Sequence, residues 1–165
     1  MILKSYIVEQ DVGILENYQA TLIYGQNNGI KEDIKQKIRD KNNNSEIIIF
    51  FEEELLKNKN ILFQNIVNES LFNEKKIIFI YEASDKIFDQ VYECLEKENK
   101  NIKINIFSHN LEKKSKLRNL FEKNTNLAIF PCYEDNERTL ISYINKELKE
   151  YKGLTGEIIN LIIYN

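Results

Sequence analysis

The stretch Asn68-Glu69-Ser70-Leu71-Phe72-Asn73-Glu74-Lys75-Lys76-Ile77-Ile78-Phe79-Ile80-Tyr81 decides how the chain is read. Ile77 to Tyr81 is an unbroken apolar run, short enough for a strand buried on both faces of a parallel sheet. Before it, Asn65-Ile66-Val67 ends a helix, and Ser70-Leu71-Phe72 falls in a polar turn. Two large apolar side chains in such a turn are either a plug into the protein's own core or an anchor for a partner.

Outward from this strand, similar runs recur. Thr21-Leu22-Ile23-Tyr24-Gly25 and Ile47-Ile48-Ile49-Phe50-Phe51 precede it, the second read as another buried strand. After it, Ile102, Ile104 and Ile106 alternate before Phe107, marking a strand less deeply covered at its start, and Leu127-Ala128-Ile129-Phe130 makes a short fifth strand stopped by Pro131. Helical patterns lie between them. Ile30, Ile34 and Ile38 form one stripe closed by Asn42-Asn43-Asn44, and Glu52 to Leu56 suggests a short helix. Asn60 can cap a helix carrying Leu62, Phe63, Ile66 and Val67, and Ser84 or Asp85 one carrying Ile87, Phe88, Val91 and Leu95. Leu111, Leu117, Leu120 and Phe121 line the next helix, and Leu140, Ile141, Ile144 and Leu148 a longer one from about Asp135 to Tyr151. Ile2 to Val8 reads as a short edge strand, and Asp11 as the cap of a short helix through Tyr18. The pattern predicts an α/β fold, a mainly parallel five-stranded sheet flanked by helices. Leu154 to Tyr164 reads as a helix that is apolar nearly all round, which suggests a piece of a longer protein.

Composition narrows the function. A chain of 165 residues, 42% hydrophobic, can bury one full core. Its net charge of -3 gives no basic footprint for autonomous nucleic-acid binding. Cys94 and Cys132 stand outside any C-x-x-C and read as structural thiols of a reducing cytosol. Met1 to Gln10 has no signal-peptide pattern, and no apolar run approaches the roughly 20 residues of a membrane span, so the expectation is a cytoplasmic protein without membrane contact.

Ligands of parallel sheets gather at the carboxyl ends of the strands. There the loop Gly25-Gln26-Asn27-Asn28-Gly29-Ile30-Lys31-Glu32 approaches a phosphate-binding loop but departs from G-x-x-x-x-G-K-[ST]. Gly25 and Gly29 are one residue too close, Ile30 fills the slot after the second glycine, and Glu32 follows Lys31 where a metal-holding hydroxyl is needed. Glu82 and Asp85 end the central strand without an acidic partner, and Asp85 reads as a helix cap. His109 is the one histidine and makes no triad or metal site. Lys113, Lys114, Lys116 and Arg118 lie beside Glu112 and Glu122 and read as a solvated helix face. No catalytic or metal-binding residue and no cofactor is expected.

Four segments, in order, resemble the delta subunit of the bacterial DNA polymerase III clamp loader, in its N-terminal portion. These are Leu22-Ile23-Tyr24-Gly25 with its altered loop, Ser70-Leu71-Phe72 followed by polar and basic residues and a strand, Lys113-Lys114-Ser115-Lys116-Leu117, and Pro131-Cys132-Tyr133 leading to Leu140-Ile141-Ser142-Tyr143-Ile144. Cys132 after the proline and the polar run before the first strand depart from the family pattern.

The resemblance implies an AAA+-like domain over 1–150 with a degenerate P-loop (Gly25, Gly29, Lys31) and the start of a helical lid over 151–165. It further implies a non-hydrolysing subunit that binds and opens the sliding clamp, the beta subunit of the polymerase, through Ser70, Leu71 and Phe72. Other loader subunits would join through a region beyond this chain, and primed DNA would be met only indirectly. The residues alone keep two alternatives open: an NTP-binding or NTP-hydrolysing domain acting through Gly25 to Lys31 and Asp85, and, less well supported, a receiver-like domain. The latter lacks paired acids after the first strand.

Overall fold

A computed structural model describes residues 1–67, 75–97 and 99–164. The chain forms α1 (Ser5–Gln10), a 3-10 turn (Val12–Asn17), β1 (Ala20–Gly25), α2 (Asn28–Lys41), β2 (Glu46–Phe51), α3 (Glu52–Lys57), α4 (Ile61–Val67) and β3 (Lys76–Ala83). It continues through α5 (Phe88–Leu95), β4 (Ile102–Ser108), α6 (Lys116–Lys123), β5 (Leu127–Cys132), α7 (Glu137–Glu147) and α8 (Gly156–Tyr164). The five strands are parallel, in the order β2-β3-β4-β1-β5.

Strand side chains alternate between the two faces of the sheet, and both faces are covered. Leu22, Ile78, Ile80, Ile104, Ile106 and Ile129 pack under α3 to α6 with Leu55, Leu62, Val91, Leu117 and Phe121. Ile23, Phe79, Phe107, Ala128 and Phe130 pack on the other side against Ile34 and Ile38 of α2 and against Val8 and Leu15. This two-sided demand is why β1 and β3 read as continuous apolar runs.

Three expectations change. Ile2 to Val8 is not an edge strand. Ile2 forms an isolated bridge with Ile129, with Leu3 N–H donating to the Ile129 carbonyl at 2.8 Å and Ile129 N–H to the Met1 carbonyl at 3.0 Å, and α1 follows. The next outward-facing nitrogen of β5 belongs to Pro131, which has no proton to donate, so the ladder cannot continue. For the same reason Pro131 does not stop β5. Its nitrogen faces away from β1, and the pairing runs on through Tyr24↔Pro131 to Gly25↔Cys132. Finally, Ile47 to Phe51 is a half-open edge rather than a buried strand: of β2, only Phe50 is buried.

The chain divides into two compact units, Met1–Cys132 and Tyr133–Asn165, a division that falls before residue 150. In the second unit Asn136 caps α7 by accepting from the N–H groups of Arg138 and Thr139, and α7 neighbours α8. The expected apolar stripe of α7 contracts to one buried residue, Ile144. Among the described residues no helix is long and apolar enough to cross a membrane.

Candidate functional site

The loop between β1 and α2 closes on itself. Gly25 ends β1 with φ +134°, and a Cβ there would lie 2.1 Å from the Cys132 carbonyl oxygen. That same carbonyl accepts the Asn27 N–H at 3.1 Å, while Gly25 N–H donates to the His109 carbonyl at 3.2 Å. Asn27 is the N-cap of α2, its side chain accepting from Ile30 N–H at 3.1 Å, and Lys31 N–H donates to the Asn27 carbonyl at 3.3 Å. Two donors of the first helical turn that a phosphate could use, the N–H groups of Ile30 and Lys31, are taken by oxygens of Asn27.

Lys31 is turned inward. It is 7% exposed, and its ammonium donates to the Gly25 carbonyl at 2.8 Å and the Ser108 carbonyl at 3.3 Å. Burial lowers its pKa, against the opposing pull of Cys132 and Glu32. Gly25 ends β1, and Gly29 and Lys31 lie in the first turn of α2, from which the lysine joins the ends of β1 and β4. His109 is exposed, and what it gives the loop is its backbone carbonyl.

Asp85 is a cap, but of a distant helix. Its carboxylate accepts from the Ser115 hydroxyl at 2.7 Å and from the N–H groups of Lys116 and Leu117 at 2.9 and 3.0 Å, at the start of α6. Ser84 caps the turn beginning at Asp85, and Ser115 caps α6 by accepting from Arg118 N–H at 3.2 Å. Desolvation works against the charged Asp85, but the hydrogen bonds from Leu117, Ser115 and Lys116 and the Lys116 charge prevail and hold its pKa below the usual carboxylate value. The basic cluster Lys113 to Arg118 thus opens on a helix end already occupied by an anion. Lys114 pairs with Glu112 at 2.9 Å and Arg118 with Glu122 at 2.7 Å.

Asp85→Ala is expected to destabilise the fold by about 1 kcal/mol, the lower part of the range for caps because the side chain is solvent-screened. With a depressed folded pKa, this contribution is complete above the unfolded value of about 3.9 and is lost as pH falls through the folded value. Urea midpoints of wild type and variant should differ at pH 7 and converge at the lowest pH at which both still fold. An unchanging gap would mean that the carboxylate charge is not what caps α6.

Cys94 and Cys132 are free and buried, and burial pushes both thiols up to about 12, so they are inert at neutral pH. Among the described residues no group of three or more His, Cys, Asp and Glu side chains is placed to hold a metal ion.

Ser70, Leu71 and Phe72 lie outside the described residues, but the elements on either side of them are fixed. The Lys76 ammonium, 7% exposed as a side chain, donates to the Asn65 carbonyl at 3.0 Å and lies 3.7 Å from the Glu46 carboxylate. It joins the last turn of α4 to the start of β3, a favourable place for a cation. Lys76 N–H donates to the Asn101 carbonyl at 2.8 Å, and Glu46 N–H to the Lys75 carbonyl at 3.0 Å. This anchorage was not read from the sequence, where Lys76 looked like one more polar residue before the strand.

No family model matches the sequence, and no curated protein matches it. Solved structures do. The Bacillus subtilis DNA clamp loader delta protein (YqeN) superposes with a TM-score of 0.68 at 12% identity, over 96% of this chain and 51% of that one. Domain III of the Thermotoga maritima replication initiation protein DnaA gives 0.52 at 16% identity, over 98% and 73%. Rhizobiales Trip13 gives 0.55 at 13% identity, over 94% and 63%. At these identities the likeness shows the fold alone: a five-stranded parallel sheet flanked by helices. The chain spans about half the length of the delta protein.

Proposed function

We propose that this chain is the clamp-binding portion of a delta-type clamp-loader subunit, which grips the sliding clamp and helps to open it for loading onto primed DNA. The observation that carries the reading is the Ser70-Leu71-Phe72 sequence in the α4–β3 connection of a fold similar, over 96% of the chain, to that of a clamp loader delta protein. Leu71 and Phe72 are the anchor, and Ser70 precedes them. The Lys76–Asn65 link steadies the two elements that carry the segment. Adjacent apolar residues cannot share one face of a helix or strand, whereas a turn can present both.

In this reading the domain over 1–150 is AAA+-like and 151–165 begins a lid. Other loader subunits are met through a region beyond this chain, and the complex works in the cytoplasm. The Gly25–Lys31 loop is a degenerate P-loop that binds no nucleotide, because its lysine and the N–H groups of Ile30 and Lys31 are already bonded internally. The subunit itself hydrolyses nothing, and ATP energy comes from sister subunits.

Calorimetric titration of the chain with the sliding clamp of the same organism tests the grip, and absence of binding would reject it. A parallel titration with Mg-ATP is expected to give no heat and no turnover. Saturable ATP binding that Lys31→Ala removes would instead support the NTP-binding alternative.

A further inference from the structure

α5 and α6 cover the same face of the sheet and run in the same direction, since each returns from the carboxyl end of one parallel strand to the amino end of another. Their first turns stand level. Asp85, just before α5, accepts from the N–H groups of Lys116 and Leu117 at the head of α6, and the Lys116 ammonium lies 5.7 Å from the centroid of the Phe88 ring. Between the helices is an open cavity of about 620 Å³, with Phe88 on the α5 side and Lys116, Asn119, Leu120 and Lys123 on the α6 side.

The two helices carry opposite charges on their exposed faces. On α6, Lys116, Asn119, Leu120 and Lys123 are spaced i, i+3, i+4, i+7 and form one stripe, and no carboxylate lines the cavity. Neither lysine makes a salt bridge among the described residues, whereas the other charges nearby cancel locally, Arg118 against Glu122 and Lys114 against Glu112. On α5, Asp89, Tyr92, Glu93 and Glu96 repeat the same spacing and are all exposed, Tyr92 by 46%. Glu96 also holds the Tyr92 hydroxyl, and Lys97 follows beyond the helix end. Among the described residues no acid of α5 makes a salt bridge, with a lysine of α6 or with any other cation.

We propose that these faces join two copies of the chain, α5 of each lying on α6 of the other about a two-fold axis that runs along the groove, parallel to both helices. Rotation about such an axis leaves height along the helices unchanged. Level first turns therefore set Asp89 of one copy beside Lys116 of the other. Glu96 falls beside Lys123, because seven residues span about 10 Å in each helix. Tyr92 enters the cavity at the level of Asn119 and Leu120, and the whole contact is made twice, as a self-complementary interface requires. A nucleic acid fits this surface less well, since the acidic stripe of α5 runs beside the lysines for their full length and repels phosphate.

Sedimentation velocity of the full chain is expected to show a concentration-dependent equilibrium between monomer and dimer that weakens as salt rises. Lys116→Glu with Lys123→Glu, and separately Asp89→Lys with Glu96→Lys, should each weaken the dimer by about tenfold or more, because like charges then meet. Mixing the two double variants should restore it, since the reversed α6 of one then faces the reversed α5 of the other. Circular dichroism checks that each variant is folded, and Tyr92→Ala, which alters no charge, should weaken the dimer as well. A chain that stays monomeric at every concentration, a dimer indifferent to both reversals, or variants that fail to pair on mixing would overturn the proposal. So would binding of a labelled single-stranded oligonucleotide by the monomer that Lys116→Glu with Lys123→Glu removes, since the lysines would then serve phosphate.

Discussion

Replacing Leu71 and Phe72 together by alanine is expected to abolish measurable binding to the sliding clamp while leaving the fold intact. Two side chains of this size, buried in a partner's pocket, contribute roughly 3–6 kcal/mol before association costs. Their loss corresponds to about a hundredfold to ten-thousandfold in affinity. Calorimetry with the clamp and a thermal melt of the variant read the two halves of the result separately, and the opposite pattern is just as clear. If the pair plugs the protein's own core beside β3, the variant loses about 2–5 kcal/mol of stability per truncated side chain and clamp affinity does not follow Leu71 and Phe72. Unchanged clamp affinity in a stably folded variant would reject the anchor.

The second large effect concerns the loop that looks like a phosphate site. Gly25→Ala is expected to cost on the order of 3 kcal/mol, because two independent penalties coincide. The φ of +134° is one that side-chain-bearing residues rarely adopt, and the new Cβ would meet the Cys132 carbonyl oxygen at 2.1 Å. That oxygen belongs to β5 backbone paired with Gly25, so relief requires moving a strand. Gly29→Ala serves as the control. Its Cβ would meet a side-chain oxygen, Asn27 Oδ1, at 3.3 Å in the first turn of α2, and the change should stay within about 1 kcal/mol. Urea denaturation of both variants checks the pair. Equal tolerance at the two positions would mean that the β1–β5 approach at Gly25 is looser than the structure has it.

These two positions also mark how far the sequence could be read. The central strands were legible because burial on both faces demands apolar runs, which Leu22-Ile23-Tyr24 and Ile77 to Tyr81 satisfy openly, while Ile102 to Phe107 showed itself by the alternation of Ile102, Ile104 and Ile106 around Lys103 and Asn105. Most helices were legible from their stripes and caps. Asp11 does accept from Gly13 N–H at the head of a 3-10 turn, as its position suggested. Local pattern failed where the neighbour decides. Ile47 to Phe51 is as apolar as a central strand, yet the strand order puts it at the edge and leaves Ile49 and Phe51 open. Ile2 to Val8 has the composition of a strand, yet Pro131 on another segment ends its pairing.

For the candidate site the division is similar. The departure of Gly25 to Glu32 from the phosphate-loop pattern was readable from spacing, since that pattern is defined by residues a few positions apart in one turn. The inward turn of Lys31 onto the carbonyls of Gly25 and Ser108 was not readable, because one of those acceptors is 77 residues away. Asp85 was legible as a cap but not as the cap of α6, since its partners Ser115 to Leu117 arrive only when β4 is laid beside β3. By itself the sequence determined the central strands, most helices, the departure of Gly25 to Glu32 from the phosphate-loop pattern and the presence of the Leu71-Phe72 pair, all properties of short segments. Tertiary structure alone decided which strand is the edge, where the buried ammonium groups of Lys31 and Lys76 find their carbonyls, and which carboxylate closes which helix. Each of these joins residues that become neighbours only when the sheet is assembled.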